Sequence, residues 1–174
     1  MTSMREPRFE ALVRAVGVPL HRYLVRRTDP AAVDDVLAET MLVLWRRIDD
    51  VPHLDDVLPW CYGVARGCLA NARRAERRRL RLVDRLSRTE PVAEPAEHIE
   101  LYDALRTLGE LDREVVMLWA WEGLAPRAIA EVIGLTPNAV SIRLHRAKKK
   151  LAVQLDRKNG ATAGQEQVKR GSEL

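Results

Sequence analysis

Aromatic residues are scarce in this 174-residue chain: it has four Trp, three Tyr, a single Phe, and only two cysteines. Cys61 and Cys68 lie seven positions apart in a helical pattern. At about 1.5 Å rise per residue their Cα atoms stand about 10 Å apart, too far for a disulfide, so both are read as reduced thiols. No uninterrupted apolar run approaches the roughly 20 residues that span a bilayer, and the start, MTSMREPRFE, lacks the apolar core of a secretory signal. The expectation is a cytoplasmic protein without direct membrane insertion. No alternating strand pattern of useful length is present either. No nucleophile–base pair, Gly-rich phosphate loop or clustered metal ligands occur at useful spacing, and His53 has no ligand set near it. Those absences argue against an enzyme, a bound metal, a cofactor and a small-molecule substrate.

What the chain does have is charge, unevenly laid out. With 47% hydrophobic and 31% charged residues it reads as a folded protein, and its net charge of +4 hides strong polarisation. Between Asp29 and Asp56 eight acids face two arginines, whereas Arg66 to Arg88 carries nine arginines against Glu76 and Asp84. The sign reverses through Glu90, Glu94, Glu97 and Glu100, and Arg143 to Lys158 then adds seven bases against Asp156. Two basic blocks separated by acidic stretches fit two contacts with a polyanion; the competing reading is a pair of solvated faces.

Almost every segment has helical periodicity, and the expected class is all-α. Phe9, Leu12, Val13, Val16, Leu20, Tyr23 and Leu24 recur at helical spacing, with Gly17 and Pro19 expected to kink or divide the run. Val33, Val36, Leu37, Thr40, Met41, Leu44 and Ile48 form a second stripe behind the cap residue Asp29. A third helix starts near Val57, with Pro59 in its first turn, and runs through Trp60, Val64, Ala65 and Leu69 into the arginine block. Trp60 lies on that apolar stripe and is assigned to the core. SRTEPVAEPAE, residues 87–97, has two prolines, several acids and no apolar periodicity, the composition of a flexible linker. Two small helical domains follow from this, 7–86 and 98–157, with a disordered polar tail over 158–174.

GLAPRAIAEVIGLTPNAVSIRLHRAKKKL, residues 123–151, is the most specific stretch. A helix-turn-helix needs a small residue on its first helix, a residue tolerant of left-handed backbone in its turn and an apolar anchor on its second helix. Ala130, Gly134 and Val140 sit at those offsets, with Ile129 and Ile133 as core. Thr136 is a natural cap and Pro137 a natural first-turn residue, which leaves peptide N–H groups at that end for a phosphate. Asn138, Ser141 and Arg143 are placed on the groove side. Arg146, Lys148, Lys149 and Lys150 are placed to neutralise phosphates. The alternative is a helical hairpin with a wet basic end. In the second helix Asp35, Glu39, Leu42 and Arg46 fall opposite the core stripe, so Leu42 is an apolar residue on a face open to a partner.

The order of these features resembles the extracytoplasmic-function class of bacterial sigma factors in the sigma-70 family. The likeness runs from about Phe9 to Leu155. VDDVLAETMLVLWRR (33–47) is similar to the core-polymerase-binding helix of sigma region 2, and PWCYGVARGCLANARRAERR (59–78) to its minus-ten-element helix. LGELDREVVMLWAWEGLAPRAIAEVIGLTPNAVSIRLHRAKKKL (108–151) is similar to sigma region 4. The chain departs from the family pattern at Ala38, where glutamine is usual, at Gly67, where asparagine is usual, and at Ile142, where serine is usual.

The resemblance implies a subunit that binds core RNA polymerase, recognises minus-thirty-five and minus-ten elements and assists promoter melting. Its implied partners are promoter DNA, the β′ clamp helices (through Asp35, Glu39, Leu42 and Arg46), the β flap and an anti-sigma factor. The implied minus-ten set is the loop Val51, Pro52, His53 and Leu54 with Arg66, Asn71, Arg74 and Arg77. The implied minus-thirty-five set is Arg127, Thr136, Pro137, Asn138, Ser141, Arg143, Arg146 and Lys149, with Arg143 and Arg146 as promoter discriminators. The alternative is a stand-alone helix-turn-helix regulator acting as a dimer on half-sites about one turn apart. A helical adaptor with incidental basic patches is a third reading.

Overall fold

A computed structural model of the chain describes residues 4–52, 57–83 and 99–171. The 87–97 linker, His53 and Leu54 lie outside the described residues. Among those described there are seven α-helices, one 3-10 turn and no strand: α1 (Arg5–Val25), α2 (Pro30–Arg46), the turn Ile48–Asp50, α3 (Val57–Val83), α4 (Ile99–Arg106), α5 (Glu110–Ala120), α6 (Pro126–Ile133) and α7 (Pro137–Gly171). The all-α expectation therefore holds for these residues. Their contacts form two compact units, one holding α1–α3 with residues 127–135 (most of α6 and the turn after it), the other α4, α5 and α7.

In the first unit α1, α2 and α3 pack against one another pairwise. The apolar repeat of α1 buries Leu12, Val16, Leu20, Tyr23 and Leu24, and that of α2 buries Val33, Val36, Thr40 and Leu44. Asp29 caps α2, its Oδ1 accepting from the Ala31 amide at 2.8 Å, with Pro30 in the first turn. The buried Thr40 hydroxyl donates to the Val36 carbonyl at 2.7 Å, which satisfies it inside its own helix. Ring contacts cross between helices: Phe9 meets Trp45 edge-on at 5.2 Å, and Tyr23 meets Tyr62 at 5.2 Å.

Two expectations are corrected here. Pro19 lies inside α1, which runs unbroken from Arg5 to Val25. An interior proline costs about 3 kcal/mol, but the apolar side chains buried on both sides of it contribute about 1.5–3 kcal/mol each, so packing holds the helix together. Trp60 is only half-buried, and the Arg47 guanidinium stands 5.0 Å over its ring. A flat aromatic face offers a cation a favourable seat at the edge of the core.

The second unit is built on α7, which packs against α5 and α4. Leu105, Leu108, Val115, Leu118, Val140, Leu144, Ala147 and Leu151 are buried in it. Arg113 gathers the end of α4: its Nε donates to the Leu105 carbonyl at 3.0 Å, and its Nη2 to Leu108 at 3.2 Å and Arg106 at 3.3 Å. The last carbonyls of a helix have no intrahelical donors, so one guanidinium serves a whole terminus. The backbone of α7 stays helical to Gly171, where a disordered tail from residue 158 was expected. No proline follows Pro137 to stop it, and each glycine in the run costs only about 1 kcal/mol.

Candidate nucleic-acid interface

The turn between α6 and α7 has the chemistry expected of a helix-turn-helix. Ala130 and Val140 are buried, and Gly134 has φ +73°, a left-handed conformation that side chains other than glycine seldom adopt. The Gly134 and Leu135 amides both reach the Ala130 carbonyl, at 2.9 and 3.1 Å, closing α6. Thr136 caps α7, its Oγ1 accepting from the Ala139 amide at 3.2 Å. The expected set of open amides is smaller for that reason. Pro137 has no N–H, and the Ala139 and Val140 amides are bonded to Thr136, which leaves Asn138 to offer its amide to an acceptor.

Along α7 the buried stripe is Val140, Leu144, Ala147 and Leu151. At about 100° per residue the opposite face carries Asn138, Ile142, His145, Arg146 and Lys149, all of them exposed. Thr136, Pro137 and Ser141 are exposed as well, and Ser141 returns its hydroxyl to the Pro137 carbonyl at 2.9 Å. Arg127 is exposed in the first turn of α6, within the first unit.

Arg143 is placed differently. Its Nη1 lies 2.7 Å from Asp112 Oδ1, with side-chain exposures of 40% and 24%, so it pins α7 to the first turn of α5. Lys148 is also turned toward α5, its Nζ 4.2 Å over the Trp119 ring. Of the basic residues named on α7, Arg146 and Lys149 have the outward setting. Spacing from Val140 and Leu144 alone points to Ile142 and His145, which the charge pattern had drawn attention away from. No local signal could reveal the Asp112 pair, since its members are 31 residues apart.

The second basic surface is on α3. Cys61, Tyr62, Ala65, Cys68 and Leu69 are buried, and residues 73–81 are all exposed. Asn71 and Arg74 are brought together, the guanidinium donating to Asn71 Oδ1. Arg66 is half-buried and Arg77 exposed. A Cβ added at Gly67 would meet nothing within 4 Å, so this exposed position has room for a side chain. Arg73, by contrast, donates to the Arg27 carbonyl in the turn after α1 and serves the fold. Val51 and Pro52 are half-buried after the 3-10 turn, with Arg8 donating to the Val51 carbonyl at 3.4 Å. Neither cysteine is bridged, and burial pushes the Cys61 thiol up to about 12. A thiol so placed stays protonated and inert at neutral pH.

A third surface follows from α2. Asp35, Glu39, Leu42 and Arg46, spaced at three and four, form one exposed stripe opposite Val36, Thr40 and Leu44, with Leu42 49% exposed. Among the described residues no group of three or more His, Cys, Asp or Glu could hold a metal ion, and no helix is long and apolar enough to cross a membrane.

Comparison with known proteins places the chain in a family. The sigma-70 region 2 model matches residues 12–79, and the sigma-70 region 4 model matches residues 98–151. RNA polymerase sigma factor CnrH of Cupriavidus metallidurans is 31% identical over 159 residues, covering 82% of this chain and 78% of CnrH. ECF RNA polymerase sigma factor SigL of Mycobacterium tuberculosis is 29% identical over 160 residues, covering 83% of this chain and 89% of SigL. Among solved structures, CnrH in complex with the cytosolic domain of CnrY aligns with a TM-score of 0.59 at 26% identity, over 85% of this chain and 87% of that one. The sigma factor RpoE of Bartonella quintana, in complex with the anti-sigma factor NepR, shares the fold with a TM-score of 0.69 at 18% identity, over 85% and 96% of the two chains. With its region 2 helices, its helix-turn-helix and these relatives, the chain belongs to the extracytoplasmic-function class of the sigma-70 family of promoter-recognising sigma factors.

Proposed function

We propose that this sigma factor works through three surfaces, each meeting one part of the transcription machinery. The stripe Asp35, Glu39, Leu42 and Arg46 seats the β′ clamp helices of core RNA polymerase. The minus-ten element is held by Val51, Pro52, His53 and Leu54 with Arg66, Asn71, Arg74 and Arg77. Unpairing and flipping bases costs a few kcal/mol each, so the small first domain offsets it only together with the large enzyme. The minus-thirty-five element lies along α7, where Thr136, Pro137, Asn138, Ser141, Arg146 and Lys149 meet it, joined by Arg127 of α6. Arg143 contributes by holding α7 on α5 through Asp112. The working domains are 7–86 and 98–157, joined by 87–97, and the second also meets the β flap.

The observation that carries this reading is the presence of two exposed basic helical faces, on α3 and α7, in separate compact units. The chain acts in the cytoplasm, catalyses nothing itself and leaves the chemistry to the polymerase. An anti-sigma factor holds it when the inducing signal is absent; NepR is such a partner of RpoE. A stand-alone dimeric regulator is not favoured, because such a protein has no use for a sigma region 2.

Run-off transcription with purified core polymerase on a pool of genomic promoters tests the proposal. Stimulation by the full chain, lost on Leu42→Asp and reduced on Arg146→Ala, is the expected result. A chain that leaves core enzyme unstimulated yet shifts a palindromic site alone as a dimer would sink it.

A further inference from the structure

Ile142 stands in the middle of the outward face of α7 and is 43% exposed. Its neighbours on that face are Asn138 one turn before, His145 and Arg146 one turn after, and Lys149 beyond them, all polar or cationic and all exposed. Between Asn138 and Lys149 it is the single branched apolar group on that hydrogen-bonding, basic face; the next exposed one there, Val153, is three turns further on. A partner helix needs a continuous apolar stripe, and none runs through this face. Major-groove edges have the complementary pattern: donors and acceptors throughout, phosphates alongside, and a single apolar feature, the C5-methyl group of thymine.

We infer that Ile142 is a specificity-determining residue that reads one thymine of the upstream promoter element by apolar contact with its C5-methyl group. This rests on the reading of α7 as the minus-thirty-five helix. It shifts part of the discrimination from arginine hydrogen bonding to a methyl contact, and it gives a use to the position where the family usually carries serine. Asn138 and Arg146, one turn to either side, supply the polar contacts that set the register in which the methyl is met.

Holoenzyme assembled from core polymerase and the full chain is used to select preferred sequences from promoters randomised over the upstream element. Each thymine of the selected element is then replaced by deoxyuridine, which keeps every hydrogen-bonding group and removes only the methyl. One such replacement should weaken binding by the wild-type holoenzyme about fourfold, the worth of one buried methyl-sized group. Ile142→Ala should bind thymine and deoxyuridine templates equally, and Ile142→Val should keep part of the difference. A selected element with no methyl-sensitive thymine overturns the inference, as does the same sensitivity in Ile142→Ala. If no upstream preference is selected at all, the minus-thirty-five reading of α7 falls with it; a clear preference without methyl dependence removes this inference alone.

Discussion

Removing the Asp112–Arg143 pair should loosen the second unit by a predictable amount. The two groups meet at 2.7 Å, with Asp112 the more buried at 24% exposure and Arg143 at 40%. A hydrogen bond to a charged group contributes about 1.5–3 kcal/mol when dry. Exposed ion pairs contribute about 0–1 kcal/mol, so solvent screening of the Arg143 side brings the expected coupling to about 1 kcal/mol. Asp112→Ala, Arg143→Ala and the double variant form a cycle that isolates this value. Because the chain has two compact units, one global unfolding curve would blur the effect. Native-state amide hydrogen exchange reads each unit by itself. Amides of α5 and α7 should exchange about fivefold faster in either single variant, and the double variant should be little worse. Asp112→Asn, which keeps a carbonyl acceptor, should fall between. Coupling should shrink in 1 M salt, where screening acts over about 3 Å. A cycle with no coupling, or equal acceleration in α1–α3, would refute the idea that this pair anchors α7.

Three further outcomes are expected. Leu42→Ala, at an exposed site, should change stability by less than about 0.5 kcal/mol, while affinity for core polymerase measured by labelled-chain titration drops several-fold; unchanged affinity would remove Leu42 from the contact. Arg113→Ala should cost the second unit about 2 kcal/mol, read by hydrogen exchange of α4 and α5, because the carbonyls of Leu105, Arg106 and Leu108 lose a shared donor. Arg113→Lys, with no planar fork, should restore only part of it. For Cys61 the folded value of about 12 lies above the ordinary 9.0, so the unfolded thiol ionises first as pH rises. Its stabilising contribution is whole below pH 9.0 and is lost as pH climbs toward 12. Urea midpoints should therefore fall more steeply above pH 9.0 in the wild type than in Cys61→Ala.

What could be read ahead of the structure was what local rules govern. Asp29 and Thr136 are caps because short polar side chains compete for the first amides of a helix, and both bonds form. Gly134 is left-handed because only a residue without Cβ turns there at no cost. The apolar stripes of α1 and α2 emerge with their buried members nearly as spaced. Local rules mislead where distant packing decides. Pro19 fails to divide α1 because the core beyond it is worth more than one lost hydrogen bond. Arg73 and Arg143 look like free charge in the chain and prove to be held, by the Arg27 carbonyl and by Asp112. Counting basic residues therefore overstated the open surface, and the 3.6-residue wheel, not charge, singles out Ile142 and His145.

The exposed end of α3 has a thermodynamic consequence of its own. Arg74, Arg77, Arg78 and Arg81 stand three and four apart on a helix segment whose residues 73–81 are all exposed, and the nearby acid Glu76 is taken by Arg79 at 3.0 Å. Like charges at these spacings work against the helix by about 0.2–0.5 kcal/mol per pair. A polyanion laid beside the segment cancels that repulsion, so binding and helix stability rise together and each strengthens the other. The segment then behaves as a spring held under electrostatic load. Added salt relaxes it with nothing bound, and the same salt would weaken the hold on phosphate proposed for the segment.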